Sequence, residues 1–221
     1  MKIALISDIH SNLPALKAVL DIIDVDQILC AGDIVGYYPF PNEVIELVKE
    51  HDLRSIYGNH DKAVITGDTS WFNPIAASAI EWTRDNISLE GIKFLEELPA
   101  QLMFEDVAIV HGSPHDPDEY VYPTTSPAKL EKFLDQVSKK VLVLGHTHVQ
   151  WSLELGDRKI INPGAVGQPR DGNPKAAYAI LDTKSKEFTM HRIGYDVEET
   201  ASKTLEVGLP QHLARRLFFG L

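Results

Sequence analysis

The chain is almost free of cysteine, with Cys30 alone among 221 residues. One thiol excludes an internal disulfide and fits a reducing compartment, so we expect a cytoplasmic protein. Because Cys30 lies in an apolar segment, we interpret it as a small buried residue rather than a nucleophile. Long apolar runs are also lacking, which excludes a membrane span. The first strand is predicted to begin at residue 2, so we expect no signal peptide before it.

Basic residues are scarce as well. Lys and Arg number 21 against 32 Asp and Glu, and the formal net charge is −11. A protein that binds nucleic acid needs a basic face to displace counterions from phosphates, so we expect no nucleic-acid partner, whether sequence-specific or not. An anionic small substrate remains compatible with this charge, because bound divalent cations would dominate the field inside their own cleft.

The order of predicted elements indicates an α/β fold. In the first sixty residues, strands over 2–7, 26–30 and 53–57 alternate with helices after Asn12 and over 41–49, as in parallel sheets with crossover helices. Further along the chain, helices are predicted over 70–98, with a second start at Ser88, and over 126–137. Strands are predicted over 102–104, 107–110, 141–144, 149–155, 159–161, 176–182 and 186–193. We predict one domain over 1–221, a four-layer α/β/β/α sandwich with two mixed sheets packed face to face and helices outside.

The C-terminus, about 196–221, is predicted to be a helical extension. Leu209, Leu213, Leu217 and Leu221 recur four residues apart, which is typical of one apolar helix face. This face can pack inside the same chain or bury a homodimer interface, and we favour packing inside the chain.

Five short polar motifs stand directly or closely behind predicted strands. They are Asp8-Ile9-His10, Gly32-Asp33, Gly58-Asn59-His60-Asp61, His111-Gly112 and Gly145-His146-Thr147-His148. Loops at the carboxyl ends of neighbouring strands converge in space, so these motifs can form one site. Singly, most of them can be ordinary helix caps or turns. The last motif is stronger, because two histidines leave an apolar strand together, and the whole series predicts a metal centre.

This series resembles the motifs of the calcineurin-like metallophosphoesterases, in the branch of small prokaryotic phosphodiesterases and phosphatases, over about residues 1–170. The resemblance implies two divalent metal ions. It assigns Asp8, His10 and His148 to the first, Asp33 as a bridge, and Asn59, His111 and His146 to the second. This ligand set without thiolate favours Mn²⁺, with Fe, Zn²⁺, Ni²⁺ or Mg²⁺ as alternatives. Two metals about 3.5–4 Å apart can activate a bridging hydroxide for in-line displacement.

The resemblance also implies the substrate contacts. His60 would hydrogen-bond phosphate beside Asn59 and protonate the leaving group, with Asp61 holding its ring, so His60 and Asp61 are the predicted catalytic residues. The Asp-Arg-Gly element that serine/threonine phosphatases carry after their Gly-Asp motif is missing, since Gly32-Asp33 is followed by Ile34-Val35-Gly36. Arg170 is a candidate replacement, because guanidinium binds phosphate oxygens in pairs. The alternative is an exposed loop arginine.

The predicted function is a metal-dependent phosphoesterase that hydrolyses phosphodiester or activated phosphomonoester bonds of small soluble substrates. The first alternative is a phosphoprotein phosphatase or nucleotide pyrophosphohydrolase, which the missing Asp-Arg-Gly element argues against. A binding scaffold without activity is less favoured, because His60 is present and every ligand position is filled. Aromatic residues near the motifs can stack a base or an aryl group, or belong to the rim and core; they are Tyr37, Tyr38, Phe40, Tyr120 and Tyr122.

Overall fold

The computed structural model describes all 221 residues. Ten strands and eight helices follow one another along the chain. They are β1 (Lys2–Ile6), α1 (Leu13–Leu20), β2 (Gln27–Cys30), α2 (Pro41–Glu50), β3 (Arg54–Ser55), α3 (Asn59–Thr66), α4 (Pro74–Asn86), α5 (Leu89–Glu96), β4 (Leu102–Phe104), β5 (Val107–Ile109), α6 (Pro127–Val137), β6 (Val141–Val143), β7 (Gln150–Leu155), β8 (Arg158–Pro163), β9 (Ala176–Asp182), β10 (Phe188–Ile193), α7 (Val197–Glu206) and α8 (Gln211–Arg216).

The first sheet has the strand order β10-β9-β1-β2-β3. Strands β1, β2 and β3 are parallel, as the alternation of strands and helices predicts, whereas β9 runs antiparallel to β1. Because Ile6 is paired with Cys30, β1 and β2 end side by side. The residues that follow them, Asp8 and Asp33, therefore leave the same edge of the sheet.

The second sheet has the order β4-β5-β6-β8-β7. Its central strands β5, β6 and β8 are parallel, and Ile109 is paired with Val143. His111 follows β5 and His146 follows β6, so both histidines leave one edge of this sheet. The parallel register of each sheet thus gathers its motifs at one end.

The two sheets pack face to face. Ile3 and Leu5 of β1 share one buried cluster with Ile109 of β5 and Val143 of β6. The other face of the first sheet is covered by α1 and α2, and the other face of the second sheet by α6. The predicted four-layer sandwich of two mixed sheets is therefore confirmed.

Helix starts follow the local chemistry of the chain. The Asn12 side chain accepts a hydrogen bond from the backbone N–H of Ala15 and caps α1, as predicted. Ser88 caps α5 in the same way, and this confirms the predicted second start. The third polar motif differs from the expectation of a loop, since Asn59 begins α3. The predicted helix over 70–98 begins only at Pro74, after the Asn73 cap.

The C-terminal region holds two helices rather than one. Gly208 adopts φ 79° and Pro210 follows it, so the helix that ends at Glu206 cannot continue into α8. The buried Leu209, Leu213 and Leu217 pack in one cluster with Tyr38, and Leu221 stays 59% exposed. No helix combines the length and the apolar character that crossing a membrane requires.

We predict that the packing of α8 contributes to stability. Leu213 is 0% exposed, so Leu213→Ala should lower the free energy of unfolding by about 2–5 kcal/mol through lost burial and a residual cavity. The matched variant Leu205→Ala, at a position 49% exposed in α7, should change it by about 0.5 kcal/mol or less. Urea denaturation followed by circular dichroism measures both, and equal effects would contradict the docking of α8.

Candidate metal centre

The structure brings the first group of predicted ligands together at the carboxyl ends of the strands. Asp8, His10, Asp33 and His148 form a buried cluster whose ligand atoms all lie within 4.8 Å of one another. Nε2 of His148 is 3.4 Å from Oδ1 of Asp8, and Nε2 of His10 is 3.5 Å from Oδ2 of Asp33. The two Nε2 atoms are 3.1 Å apart. These donors have the chemistry and spacing of a metal site.

The second group of predicted ligands adjoins Asp33. Nε2 of His111 lies 3.4 Å from Oδ2 of Asp33 and 3.1 Å from Oδ1 of Asn59. The ring of His146 is centred 5.1 Å from that of His111, and its buried Nε2 has no hydrogen-bond partner. The backbone N–H of His146 donates to the Asp8 carboxylate. All seven predicted ligands therefore lie at one place, with Asp33 between the two groups.

Backbone carbonyl groups orient three of the four imidazoles. Nδ1 of His10 contacts the oxygen of Val35 at 3.2 Å, Nδ1 of His111 that of Ala31 at 2.7 Å, and Nδ1 of His148 that of Gln168 at 2.6 Å. A carbonyl oxygen only accepts, so each Nδ1 carries the hydrogen. In a neutral ring this leaves the lone pair on Nε2, as metal-binding histidines require.

The pKa shifts in the cluster are those of a site that favours a bound cation. Burial raises the pKa of Asp8 to about 7, against the opposing charge of His111. Burial also disfavours ionised Asp33, yet His111 and His60 hold its pKa below the usual range. Burial lowers the pKa of His111, but Asp33 and Asp8 outweigh this and raise it to about 10. A protonated His111 thus compensates Asp33, and a metal ion would take over that task.

The pair of His10 and His148 gives an independent test of fit. Burial lowers the pKa of both rings well below the ordinary value, so both are neutral. Their Nε2 lone pairs then face each other across 3.1 Å without a proton between them. A divalent cation coordinated by both rings removes this repulsion, and a second one beside His111 would give the unpartnered Nε2 of His146 a counterpart. The residues present therefore fit a metal centre.

His60 lies beside this cluster, but Asp61 does not hold its ring. Both carboxylate oxygens of Asp61 accept hydrogen bonds from backbone N–H groups, those of Ile34, Val35 and Gly58. Nδ1 of His60 is buried without a hydrogen-bond partner. The prediction that Asp61 orients His60 is therefore wrong, because the carboxylate is used to join the start of α3 to the loop after β2.

Burial and packing fix the His60 ring instead. It contacts the rings of His10 and Phe72 edge-on, at centroid distances of 4.7 and 4.9 Å, and lies 4.4 Å from Tyr37. Burial lowers the pKa of His60 to about 4, although Asp33 opposes this. The ring is thus neutral at pH 7 even with the Asp33 carboxylate nearby.

Arg170 reaches the same cavity as the predicted ligands, so it is not merely an exposed loop arginine. The cavity has a volume of about 540 Å³, and its lining includes Asn59, His60, His146 and Arg170. Nη2 of Arg170 donates to Oε1 of Gln168 at 2.7 Å and to the hydroxyl of Tyr37 at 3.1 Å. These contacts hold the guanidinium at the cavity wall.

Several residues of this site escape prediction from the sequence. Gln168 is 1% exposed and contacts Arg170 through Oε1, Tyr38 through Nε2 and His148 through its backbone oxygen. The segment around Gln168 shows no periodicity that marks such a role. The cavity also includes residues from two connecting segments that no motif covers; they are Trp71, Phe72, Asn73, Asp116 and Asp118.

The fold and this cluster define a metal-dependent hydrolase of phosphate esters. Residues 1–186 match the family model of the calcineurin-like phosphoesterase superfamily domain, and the chain belongs to this family. The family implies bound divalent metal ions, for which the cluster around Asp8 and Asp33 is the candidate site.

Proteins similar to this one align with most of its length. An uncharacterized protein of Methanocaldococcus jannaschii is 38% identical, with 99% of this chain and 98% of that protein covered. The phosphodiesterase YfcE of Escherichia coli is 30% identical over 82% of this chain and 88% of its own length. The crystal structure of a metallophosphoesterase from Sphaerobacter thermophilus has a TM-score of 0.89 at 39% identity and covers 100% of this chain and 99% of that one.

Metal binding should stabilise the folded chain. At a Mn²⁺ concentration about 100 times the Kd, the free energy of unfolding should rise by about 2.7 kcal/mol, because the unfolded chain lacks the site. His148→Ala should lose most of this gain, whereas His51→Ala, at an exposed histidine outside the motifs, should retain it. Denaturation with chelator and with Mn²⁺ measures the difference. Equal gains in both variants would contradict the assignment of His148.

Gly36 should be required for the position of His60. It has φ +120°, and a Cβ atom there would lie 2.7 Å from Nδ1 of His60. The same Cβ would lie 3.2 Å from Nδ1 of His10, so Gly36→Ala should displace both rings and lower kcat about 10²-fold, as expected when side chains of a site are misplaced by about 1 Å. Gly172→Ala is the matched control, because Gly172 has φ +78° but no atom within 4 Å of its Cβ position. Comparable kcat losses in both variants would show that backbone strain, rather than displacement of the His60 and His10 rings, is responsible.

Proposed function

We propose that this protein is a two-metal phosphoesterase that hydrolyses phosphodiester, or activated phosphomonoester, bonds of small substrates. The observation that carries the proposal is that His60 and Arg170 line one cavity with Asn59, His146 and His148. A volume of about 540 Å³ suits a small molecule. The name of the phosphodiesterase YfcE, a relative at 30% identity, supports the diester preference.

The ligand positions support two ions, with Mn²⁺ as the first choice. Asp8, His10 and His148 would hold one ion, and Asn59, His111 and His146 the other, with Asp33 shared. The second group is distinguished by its partners, because His111 lies next to Asn59 and Oδ2 of Asp33, whereas His148 lies next to Oδ1 of Asp8 and Nε2 of His10. When bound, two such ions supply a nucleophile from water and offset charge on the phosphoryl oxygens. Nitrogen and oxygen donors without thiolate suit Mn²⁺.

His60 is proposed as the general acid. Its ring lies in the cavity wall next to His10 and Tyr37, and its backbone N–H is fixed by a 2.8 Å hydrogen bond to Oδ1 of Asp33. A phosphate anion against the ring favours the imidazolium form, because an opposite charge nearby stabilises the protonated state. His60 can then hydrogen-bond the phosphate and pass its proton to the leaving oxygen.

Arg170 and Asn59 are proposed to orient the phosphoryl group. The Arg170 guanidinium is supported by Gln168 and Tyr37, and this limits the rotamers it can adopt before substrate arrives. A preorganised guanidinium forms paired hydrogen bonds with phosphate oxygens at less entropic cost. In this scheme Asp61 is a positioning residue, because its three backbone hydrogen bonds hold α3, and with it Asn59 and His60, against the loop after β2.

The acid role of His60 gives a test that depends on the leaving group. With Mn²⁺, His60→Ala should lower kcat about 10³-fold for an alkyl leaving group, which needs a proton. For bis(p-nitrophenyl) phosphate, whose nitrophenolate leaves unprotonated, the loss should be about tenfold or less. Steady-state kinetics on both substrates measure the split.

The controls separate this role from a structural one. His51→Ala should match the parent protein on both substrates, since His51 is exposed and outside the site. The chelated protein should be inactive on both and recover when Mn²⁺ is restored. Equal losses of kcat for the two leaving groups in His60→Ala would argue against a general acid, and activity that survives complete metal removal would refute the metal-dependent mechanism.

A further inference from the structure

The entrance of the cavity is formed by aromatic residues of two separate segments. Trp71 and Phe72 lie between α3 and α4, and Tyr120 lies between β5 and α6. Trp71 is 93% and Tyr120 55% exposed, whereas His60 deeper in the cavity is 3% exposed. The ring of Tyr120 lies 4.3 Å from that of His146, and the ring of Phe72 lies 4.9 Å from that of His60. Aromatic surface thus extends from the imidazoles to solvent.

The same entrance carries two carboxylates, and Lys62 lies in an adjoining pocket that shares Trp71 and Asp118. Asp116 and Asp118 are exposed residues of the cavity lining, and the backbone N–H of Asp118 donates to Oδ1 of Asp116. Arg170 is the one Lys or Arg among the lining residues. A second phosphate group at the entrance would therefore be repelled by two carboxylates, which outnumber the one lysine beside them. Carboxylates do accept hydrogen bonds from uncharged N–H donors.

From this arrangement we infer the substrate class of the site: nucleoside phosphodiesters with a single phosphate, whose base stacks on Trp71 or Tyr120 and donates N–H hydrogen bonds to Asp118. The inference rests on the proposed phosphoesterase function and extends it to the group attached to the phosphate. Every base offers a planar face for stacking, and guanine adds adjacent N–H donors that match a carboxylate. Polyphosphate nucleotides and phosphorylated acidic peptides are disfavoured by Asp116 and Asp118.

Two diesters with the same leaving group test the inference. Guanosine 5′-(p-nitrophenyl) phosphate presents a base, whereas methyl p-nitrophenyl phosphate presents none. With Mn²⁺, the parent protein should show a higher kcat/KM for the guanosine ester. Trp71→Ala and Tyr120→Ala should each lower that value about tenfold more than they lower kcat/KM for the methyl ester, as expected when stacking on one aromatic ring is lost. For Trp71→Ala, at a side chain that is 93% exposed, kcat/KM for the methyl ester should change less than about twofold. Trp71→Phe should keep most of the preference for the guanosine ester.

The charge at the entrance has its own test. 2-Carboxyethyl p-nitrophenyl phosphate places a second negative charge next to the ester. The Asp118→Asn variant should hydrolyse this ester with about fivefold higher kcat/KM than the parent protein. The reason is that the substitution removes the repulsion between the Asp118 carboxylate and the substrate carboxylate, taken at about 4 Å in water. The same variant should lower kcat/KM for the guanosine ester, since a carboxamide is a weaker acceptor.

The control and the contrary outcomes are distinct. Phe219→Ala removes an aromatic residue that is 54% exposed but outside the cavity lining, and it should leave the preference between the two esters unchanged. If Trp71→Ala and Tyr120→Ala affect both esters equally, or neither, the inference is wrong while the phosphoesterase function stands. If the parent protein releases no nitrophenolate from either ester with any divalent metal, the proposed function itself is wrong.

Discussion

The hydrogen bonds from imidazole Nδ1 atoms to backbone carbonyl groups are the interaction on which the site depends. The three acceptors, Val35, Ala31 and Gln168, belong to chain segments remote in sequence from the rings they hold. Each bond therefore fixes a ring and also joins two loops. The loops in turn leave strands that are paired in parallel register within each sheet. The positions of the Nε2 atoms follow from the core, and a donor set spread over about 140 positions becomes rigid.

This rigidity has a conformational cost that the core has to offset. Ten residues other than glycine have positive φ, and six of them lie in or beside the polar motifs: Asp8, His10, Ser11, Asp33, His146 and His148. A left-handed conformation costs such a residue of order 1 kcal/mol or more. Loops that turn so abruptly bring Nε2 and carboxylate oxygens to face one another within a few ångströms. Strained backbone at this place is therefore part of how the centre is built, and the buried strands β1, β2, β5 and β6 stabilise it.

The sequence predicts the parts of this site that local chemistry determines and misses those that tertiary contacts determine. The strands, the two packed sheets and the five polar motifs follow from the apolar runs and the residues behind them, whereas the assignment of seven metal ligands comes from the resemblance to the calcineurin-like family. The start of α3 at Asn59 carries only half of a capping box, because the Asp61 carboxylate accepts a hydrogen bond from the backbone N–H of Gly58 but glycine has no side chain to return one. The contacts of Asp61 with Ile34 and Val35 span more than 25 residues, so no local pattern predicts them.

The C-terminal helices illustrate why contacts between distant parts of the chain cannot be predicted from the sequence. The hydroxyl of the fully buried Tyr38 donates to the backbone oxygen of Leu213 in α8 and accepts a hydrogen bond from Nε2 of Gln168. Gln168 in turn contacts Arg170 and His148. A buried tyrosine hydroxyl without partners would be costly, so α8 and Gln168 stabilise the same side chain together. The leucine repeat indicates only that this region has an apolar face. Its connection to the guanidinium in the cavity runs through hydrogen bonds of two polar side chains, Tyr38 and Gln168, which no repeat in the sequence indicates.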